Sequence, residues 1–286
     1  MVEFGVCKLT GTSGRFVKSH LIPRALTRLS RTGEKAFEVD AQSGQLIHRV
    51  EGWYDLELVT KEGEQILAKC DDEGIRELRR SGLISSGSSN LSLGNLSEFQ
   101  QVHIHSNHPK HLRMFVLSLL WRAASTEIDA FKHFSFPSAD RDYVGDLLLN
   151  GKTGQPNEFV TVFISLNDVD AVHNHTPIRD SLAWEGTYLP FSRFYFEGLV
   201  IHIYDRTQSP DLLNAIGGGA VGFSKDFIVV RRPFGDSRQK NDLLGSMLRP
   251  EVLSTAFNVK NQSQTQIPPL NNLSISSATK ERVTET

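Results

Sequence analysis

The chain has 286 residues, of which 39% are hydrophobic and 22% are charged, and its formal net charge is -2. These values are typical of a globular protein and exclude attraction to nucleic acid or membrane through overall charge alone. Two cysteines, Cys7 and Cys70, are too few for a disulfide scaffold or an all-cysteine zinc site, and they fit a reducing compartment. Neither a secretory signal nor an apolar run of roughly 18 residues is visible, so we expect a cytoplasmic protein without a membrane partner.

A basic segment opens the chain. Residues 4–33 contain six lysine or arginine residues and no acidic residue. Pro23 suits the first turn of a helix, and the arginines that follow it repeat at i, i+4 and i+7, on one helix face. Such a row of arginines could contact successive phosphates of a nucleic acid. The alternative is that it is only the solvent-exposed face of a helix. The candidate nucleic-acid-binding residues are Lys18, Arg24, Arg28 and Arg31.

Strand patterns follow over residues 37–67. AFEVDA, QLIHRV and WYDLELVT alternate apolar and polar residues between turn signals, which predicts a β-meander or hairpins. DDEGIRELRR then predicts a short helix that is capped by Asp71 or Asp72. The next stretch is rich in serine, glycine and asparagine and predicts a loop or linker over residues 81–98, which we interpret as a domain boundary.

The strongest helix pattern is HLRMFVLSLLWRAAS, residues 111–125. Its apolar positions recur at helical spacing and cover most of the circumference, which predicts a central hydrophobic helix. FVTVFISL, GLVIHIY and DFIVVRRP predict three strands beyond it, and the polar segment 261–286 predicts a disordered tail. The fold class that we predict is α+β, with one domain over residues 1–80 and a second α+β domain over residues 99–260.

Three blocks of the chain resemble one group of proteins. CKLTG and GRFVKSHLIPRALTR resemble the opening of HNH-type (ββα-metal, treble-clef) endonuclease-like proteins, which carry Cys-x-x-Cys-Gly and then Ser/Glu/Asp-His-Ile/Val-Ile/Val-Pro. ILAKCDD resembles their Leu-Leu-Cys-x-x-Cys-Glu block, and MFVLSLLWRAAS with AFKHF resembles a Phe-x-Leu-Ser-x-Leu-Trp-Arg-Ala-Ser helix and its sequel. The similarity runs with gaps from Cys7 to Leu166 and implies that residues 1–80 form an HNH-like treble-clef and β-hairpin domain.

The resemblance implies a metal-dependent nuclease that hydrolyses phosphodiesters, in defence against foreign DNA or within a mobile element. His20 would be the general base, because a neutral imidazole takes a proton from water near neutral pH. Asp71 and Asp72 would hold a catalytic Mg2+ or Mn2+, with helix capping as their alternative role. DNA or RNA would be the partner, and the C-terminal domain is a candidate surface for a protein partner.

Departures from the pattern point to a different function. The first cysteine pair falls at Cys7 and Thr10, and the second at Ala68 and Asp71, with Cys70 one place out of register. Because structural zinc needs four ligands, we expect none, and we expect both cysteines to pack as small buried groups. The alternative function is therefore a non-catalytic relative that binds nucleic acid or protein.

Three further motifs have simple interpretations. His173, Asn174 and His175 spell HNH in adjacent positions, which cannot build a site named for dispersed residues. The run HIHSNHPKH, residues 103–111, has a spacing that suits a metal, but Pro109 and the start of the following helix explain it without one. Residues 217–219 are three glycines without the lysine of a phosphate loop, which predicts a turn.

Overall fold

Two β-sheets and five α-helices make up the part of the chain that the structure, a computed structural model, describes. That part comprises residues 3–26, 37–41, 43–48, 52–84, 99–167, 173–196, 198–206 and 210–247. The α+β class predicted from the sequence is confirmed. The strands are β1 (Phe4–Val6), β2 (Ser13–His20), β3 (Phe37–Val39), β4 (Leu46–His48), β5 (Tyr54–Thr60), β6 (Gln100–His105), β7 (Thr161–Asn167), β8 (His173–Trp184), β9 (Thr187–Phe196), β10 (Leu199–Tyr204) and β11 (Asp226–Pro233). The helices are α1 (Lys61–Arg80), α2 (Pro109–Ser125), α3 (Ser138–Leu149), α4 (Pro210–Ile216) and α5 (Arg238–Met247).

The smaller sheet has the order β1–β2–β5 and is antiparallel throughout. β2 pairs with β5 so that Phe16 lies opposite Thr60 and His20 lies opposite Tyr54. The register shifts after Val17, which locally bends the strand pair. α1 follows β5 directly and packs on both strands, so that two strands and one helix form a ββα unit.

Helix α1 begins at Lys61, earlier than the start predicted at Asp71 or Asp72. The segment KEGE, residues 61–64, is one of the turn signals between the predicted strands, but it forms the first turn of the helix. Its two acids, Glu62 and Glu64, lie near the positive end of the helix dipole, which favours a helix start at this point. Asp71 and Asp72 are therefore in the middle of the helix and do not cap it.

Helices α1 and α2 cross closely. Gly74 of α1 lies against the side chain of Phe115, and the space between them is too small for a Cβ atom. The helix predicted over residues 111–125 spans Pro109–Ser125, and its side chains from Leu112 to Ala123 are all buried. This helix nevertheless carries two arginines, so each must find buried acceptors.

The larger sheet has the order β4–β3–β8–β9–β10–β7–β11–β6. The three strands predicted from FVTVFISL, GLVIHIY and DFIVVRRP are confirmed as β7, β10 and β11. β8 and β9 form a long antiparallel hairpin that the pattern did not predict. Phe115 of α2 meets Phe196 of β9 edge to face, with ring centroids 6.2 Å apart, so this helix shares a core with the sheet.

Residues up to Met247 form one compact unit. β3 and β4 lie within residues 1–80, yet they extend the large sheet, because β3 pairs in parallel with β8. The predicted linker lies outside the described residues from position 85 to position 98, and the predicted tail over residues 261–286 lies wholly outside them. In the described ranges, no helix has both the length and the apolar character needed to cross a membrane.

Candidate functional site

The site predicted around His20 lies at the end of β2, beside the start of β5. His20 is the last residue of β2, and its Cα partner is Tyr54, the first residue of β5. Leu21 and Ile22, which follow, are each 1% exposed and anchor the strand end in the core. His20 itself is partly buried. Its position is therefore set by strand pairing on one side and by core packing on the other.

Lys18, His20 and Tyr54 form a group that we call the strand-end group. The Nζ atom of Lys18 lies 4.0 Å from the centre of the Tyr54 ring. The His20 ring meets the same tyrosine edge to face, with centroids 6.2 Å apart. A cation over an aromatic ring is worth about 0.5–1 kcal/mol at an exposed site. The group thus presents an ammonium, an imidazole and a phenol together at one strand end.

Two further arginines of the basic segment can be placed. Arg15 on β2 and Arg24, at the start of a 3-10 turn over Arg24–Leu26, are both exposed. Arg28 and Arg31 lie outside the described residues, as does most of the helix predicted there. The described part of the basic segment is therefore a strand and a short turn.

Cys7 lies in a tight loop, residues 7–12, that we call the knuckle loop. The N–H of Cys7 donates to the carbonyl of Thr12 and the N–H of Gly11 donates to the carbonyl of Cys7, each at 2.9 Å. The N–H of Thr10 donates to the Cys7 sulfur at 3.4 Å. Burial raises the pKa of the Cys7 thiol, but Thr10 and Thr60 beside the sulfur outweigh burial and leave that pKa below its usual value.

The start of α1 lies against the same sulfur. A Cβ atom added at Gly63 would lie 2.7 Å from Cys7 Sγ, so the sulfur fills the space that a side chain at this position would take. Thr60 and Gly63 are separated by two residues, as are Cys7 and Thr10. Four positions with the spacing of two Cys-x-x-Cys pairs thus meet at one place, which we call the knuckle corner.

The second pair of the resemblance was expected at Ala68 and Asp71, near Cys70. Cys70 instead lies seven residues beyond Gly63 on α1, about 10 Å along the helix axis. Burial raises the pKa of its thiol to about 11. The residues that do reach the Cys7 sulfur are Thr60, the last residue of β5, and Gly63, in the first turn of α1.

The residues of the knuckle corner do not fit zinc. They supply one thiol, two hydroxyl groups and a glycine without a side chain, whereas structural zinc is held by four sulfur, nitrogen or carboxylate ligands. The loop is held by the protein itself. Leu9 is buried, and Lys8 donates to the carbonyl of Ser125 at 3.0 Å and to the carboxylate of Glu127 at 2.7 Å.

The predicted metal ligand Asp71 has another partner. Both of its carboxylate oxygens accept hydrogen bonds from Arg122 of α2, at 2.9 and 2.8 Å, and the Arg122 side chain is fully buried. Burial raises the pKa of Asp71, and Arg122 opposes that shift. We call Asp71 and Arg122 the ion-pair corner. Asp72 points to solvent on the same helix, and no cluster of three or more metal-ligating side chains occurs within the described ranges.

Glu64 is the acidic residue that sequence reasoning missed. Burial raises the pKa of its carboxyl, while the hydroxyl of Ser19 and the charge of Arg122 lower it, and the net pKa is above the usual value. Ser19 is fully buried and precedes His20. In the sequence, Glu64 belongs only to the turn signal KEGE and carries no signal of a site. Tyr54 carried no signal either, whereas Arg122 lies in the third block of the resemblance, whose pattern has an arginine at that place.

The three motifs with simple interpretations are explained by local packing. His105 pairs with Asp226 at 2.8 Å, whereas His108 and His111 stack on each other with centroids 4.8 Å apart. Asn174 and His175 are buried in β8. The three glycines form a 3-10 turn, Gly217–Gly219.

No protein-family model, curated protein or solved structure matches the chain. The function is therefore inferred from the residues of the site alone.

Proposed function

We propose that the ββα unit made of β2, β5 and α1 binds nucleic acid through the strand-end group and does not hydrolyse it. The observation that carries this proposal is the placement of the Lys18 ammonium and the His20 ring around Tyr54. Phosphate contacts come mostly from lysine and arginine, and aromatic rings supply a stacking surface for bases. Arg15 and Arg24 are exposed basic residues of the same segment, which has no acidic residue between positions 4 and 33.

The ion-pair corner supports binding over hydrolysis. A nuclease of the resembling type would use a carboxylate of this helix as a ligand for a divalent ion. Here the guanidinium of Arg122 neutralises Asp71 through both oxygens inside the protein. An ion at Asp71 would have to displace a buried arginine, which would then lack its partner. The residues therefore favour the non-catalytic alternative.

The proposal is tested by fluorescence anisotropy with labelled duplex DNA, single-stranded DNA and RNA of one sequence. Replacing Lys18 by Gln should weaken binding and reduce the slope of log K against log salt by about 1, because one phosphate contact is lost. Tyr54→Ala should weaken binding as well, whereas Tyr54→Phe keeps the ring and should bind like the wild type.

Lys152→Gln is the matched control, because Lys152 is an exposed lysine in the turn after α3. It should leave binding unchanged. Equal losses for Lys18→Gln and Lys152→Gln would show that only net charge matters, and that result would overturn the proposed surface. Wild-type protein that binds none of the three nucleic acids would overturn it too.

A further inference from the structure

A pocket of about 530 Å3 lies where the knuckle loop meets the end of α2 and one face of α3. Its volume is in the range of pockets that hold small molecules or short segments of a partner. Lys8 connects the knuckle loop to the end of α2, because its ammonium donates hydrogen bonds to the carbonyl of Ser125 and the carboxylate of Glu127. The pocket therefore lies on the outer side of the knuckle loop, apart from the strand-end group.

Trp121 forms the floor of the pocket together with Leu9. The residue is only 2% exposed, and its indole N–H donates to no group within the described ranges. The Nε1 atom of Trp121 is not among the fully enclosed polar atoms that lack a partner, so it is accessible from the pocket. The floor thus presents a hydrogen-bond donor that lacks an acceptor from the protein.

Position 145 keeps the space beside this donor open. A Cβ atom at Gly145 of α3 would lie 3.2 Å from Trp121 Nε1, so any side chain here would crowd the indole. The glycine belongs to a stripe at i, i+3, i+4 and i+7 that lines the pocket. The stripe consists of Asp142, Gly145, Asp146 and Leu149.

The charges around the pocket leave one carboxylate without a cation. Lys8 pairs with Glu127 at 2.7 Å, and Arg141 pairs with Asp142 at 2.7 Å. Asp146, one helical turn from Asp142, has no ion-pair partner among the residues that the structure describes. A guest that fits must offer an acceptor oxygen to Trp121, a positive charge to Asp146 and an apolar part to the leucines.

We infer that this pocket binds a short peptide segment with a basic side chain. A peptide carbonyl is the acceptor that the indole N–H lacks, and a lysine or arginine side chain supplies both the charge and an apolar stem. Neither nucleic acid nor an acidic peptide has this combination. The inference concerns a surface separate from the strand-end group and holds or fails independently of nucleic-acid binding.

The test is a titration of 15N-labelled full-length protein, followed through the three tryptophan indole N–H signals in an NMR spectrum. The probe is the capped tetrapeptide acetyl-Ala-Leu-Arg-Ala-amide, and the matched probe has Glu in place of Arg. Trp121→Phe assigns the Trp121 signal, and Trp53 and Trp184 serve as internal references. The basic peptide should shift the Trp121 signal in a saturable way, while the acidic peptide should not. The capped amino acid acetyl-arginine-amide tests whether a single residue suffices.

Two variants separate the contributions of the pocket. Asp146→Asn should weaken binding of the basic peptide about two- to fivefold at low salt, because the loss corresponds to one exposed ion pair. Gly145→Ala should weaken binding of the basic peptide about three- to tenfold, because the hydrogen bond to the indole N–H is lost. If this variant displaces Trp121 itself, binding is followed through the NMR signals of other pocket residues. Thermal unfolding of each variant shows that it is folded. Equal shifts with basic and acidic peptides, or no shift with either, would overturn the inference.

Discussion

The knuckle corner and the ion-pair corner lie on the same helix, α1, and both occupy places where the resemblance implies a metal ion. At the knuckle corner, Cys7 is surrounded by hydroxyl and backbone groups and by the bare backbone of Gly63. At the ion-pair corner, Asp71 keeps its charge partner in Arg122. The knuckle corner is stabilised by neutral hydrogen-bonding groups and close packing, whereas the ion-pair corner is stabilised by a buried pair of charges.

This difference implies that the two corners tolerate change differently. A neutral hydrogen bond contributes about 0.5–1.5 kcal/mol to the free energy of unfolding, so the loss of one partner at the knuckle corner should destabilise the protein only slightly. A buried charge that loses its partner is far more costly, because the remaining charge must stay inside the protein. The fold of α1 should therefore depend more on Arg122 than on any residue of the knuckle corner.

The largest effect is expected from Arg122→Met. Asp71 would remain in the core without its partner, which typically costs about 3–5 kcal/mol, and its 16% exposed side chain favours the lower end. Urea denaturation measures this loss. The double variant Arg122→Met with Asp71→Leu should recover most of it. A single variant that loses less than about 1 kcal/mol would place the pair among ordinary surface salt bridges.

The knuckle corner can be tested by restoring its ligands. Thr10→Cys, Thr60→Cys and Gly63→Cys together with Cys7 should create a four-thiolate site that binds one zinc per chain, with the Cys7 sulfur moved out of the space of the new side chain at position 63. Zinc at a hundredfold excess over its Kd should then raise the free energy of unfolding by about 2.7 kcal/mol. Cobalt absorption bands typical of thiolate ligands report the coordination.

The matched control for this experiment moves one thiol. Thr10→Cys and Thr60→Cys combined with Ala68→Cys have the same number of cysteines, but the last lies more than one helical turn beyond Gly63. This control should give no four-thiolate spectrum. If it binds cobalt as the first variant does, the four positions are not the ones that meet.

Part of this arrangement could be predicted from the sequence. The helix α2 and the strands β7, β10 and β11 follow from hydrophobic spacing, because local periodicity reports which face is buried. His20 and Lys18 could be selected as candidate site residues because they lie in the basic segment over residues 4–33. The rest depends on contacts between distant residues, such as Asp71 with Arg122, which are 51 positions apart.

The register of the second block shows why such contacts are hard to predict. ILAKCDD was compared with the Leu-Leu-Cys-x-x-Cys-Glu block because it contains Cys70, and cysteine is the most distinctive residue of that block. Thr60 and Gly63 carry no thiol, and only their contacts with Cys7 identify them. Residues without a metal-ligating side chain leave no motif in the sequence, so only the fold shows that they meet.

A smaller effect is expected from Glu64→Gln, which tests a partly buried acid beside Ser19 for comparison with the ion-paired Asp71. The pKa of Glu64 in the folded protein is raised above its usual value of 4.5. The stability from this group is therefore fully present below pH 4.5 and is lost as the pH rises through the raised pKa. Glu64→Gln should melt higher than the wild type at pH 7, and the gap should close towards pH 4. A gap that grows on acidification would contradict the direction of the shift.

The most direct measurement of the central claim combines binding and cleavage in one tube. Labelled DNA and RNA are titrated with the wild type and with His20→Ala, in chelator, in Mg2+ and in Mn2+, and each sample is then resolved on a denaturing gel. The account predicts salt-sensitive binding of equal affinity in chelator and in either metal, with intact nucleic acid in every lane. Metal-dependent product that disappears in His20→Ala would contradict it and would make the ββα unit a nuclease with His20 as its general base.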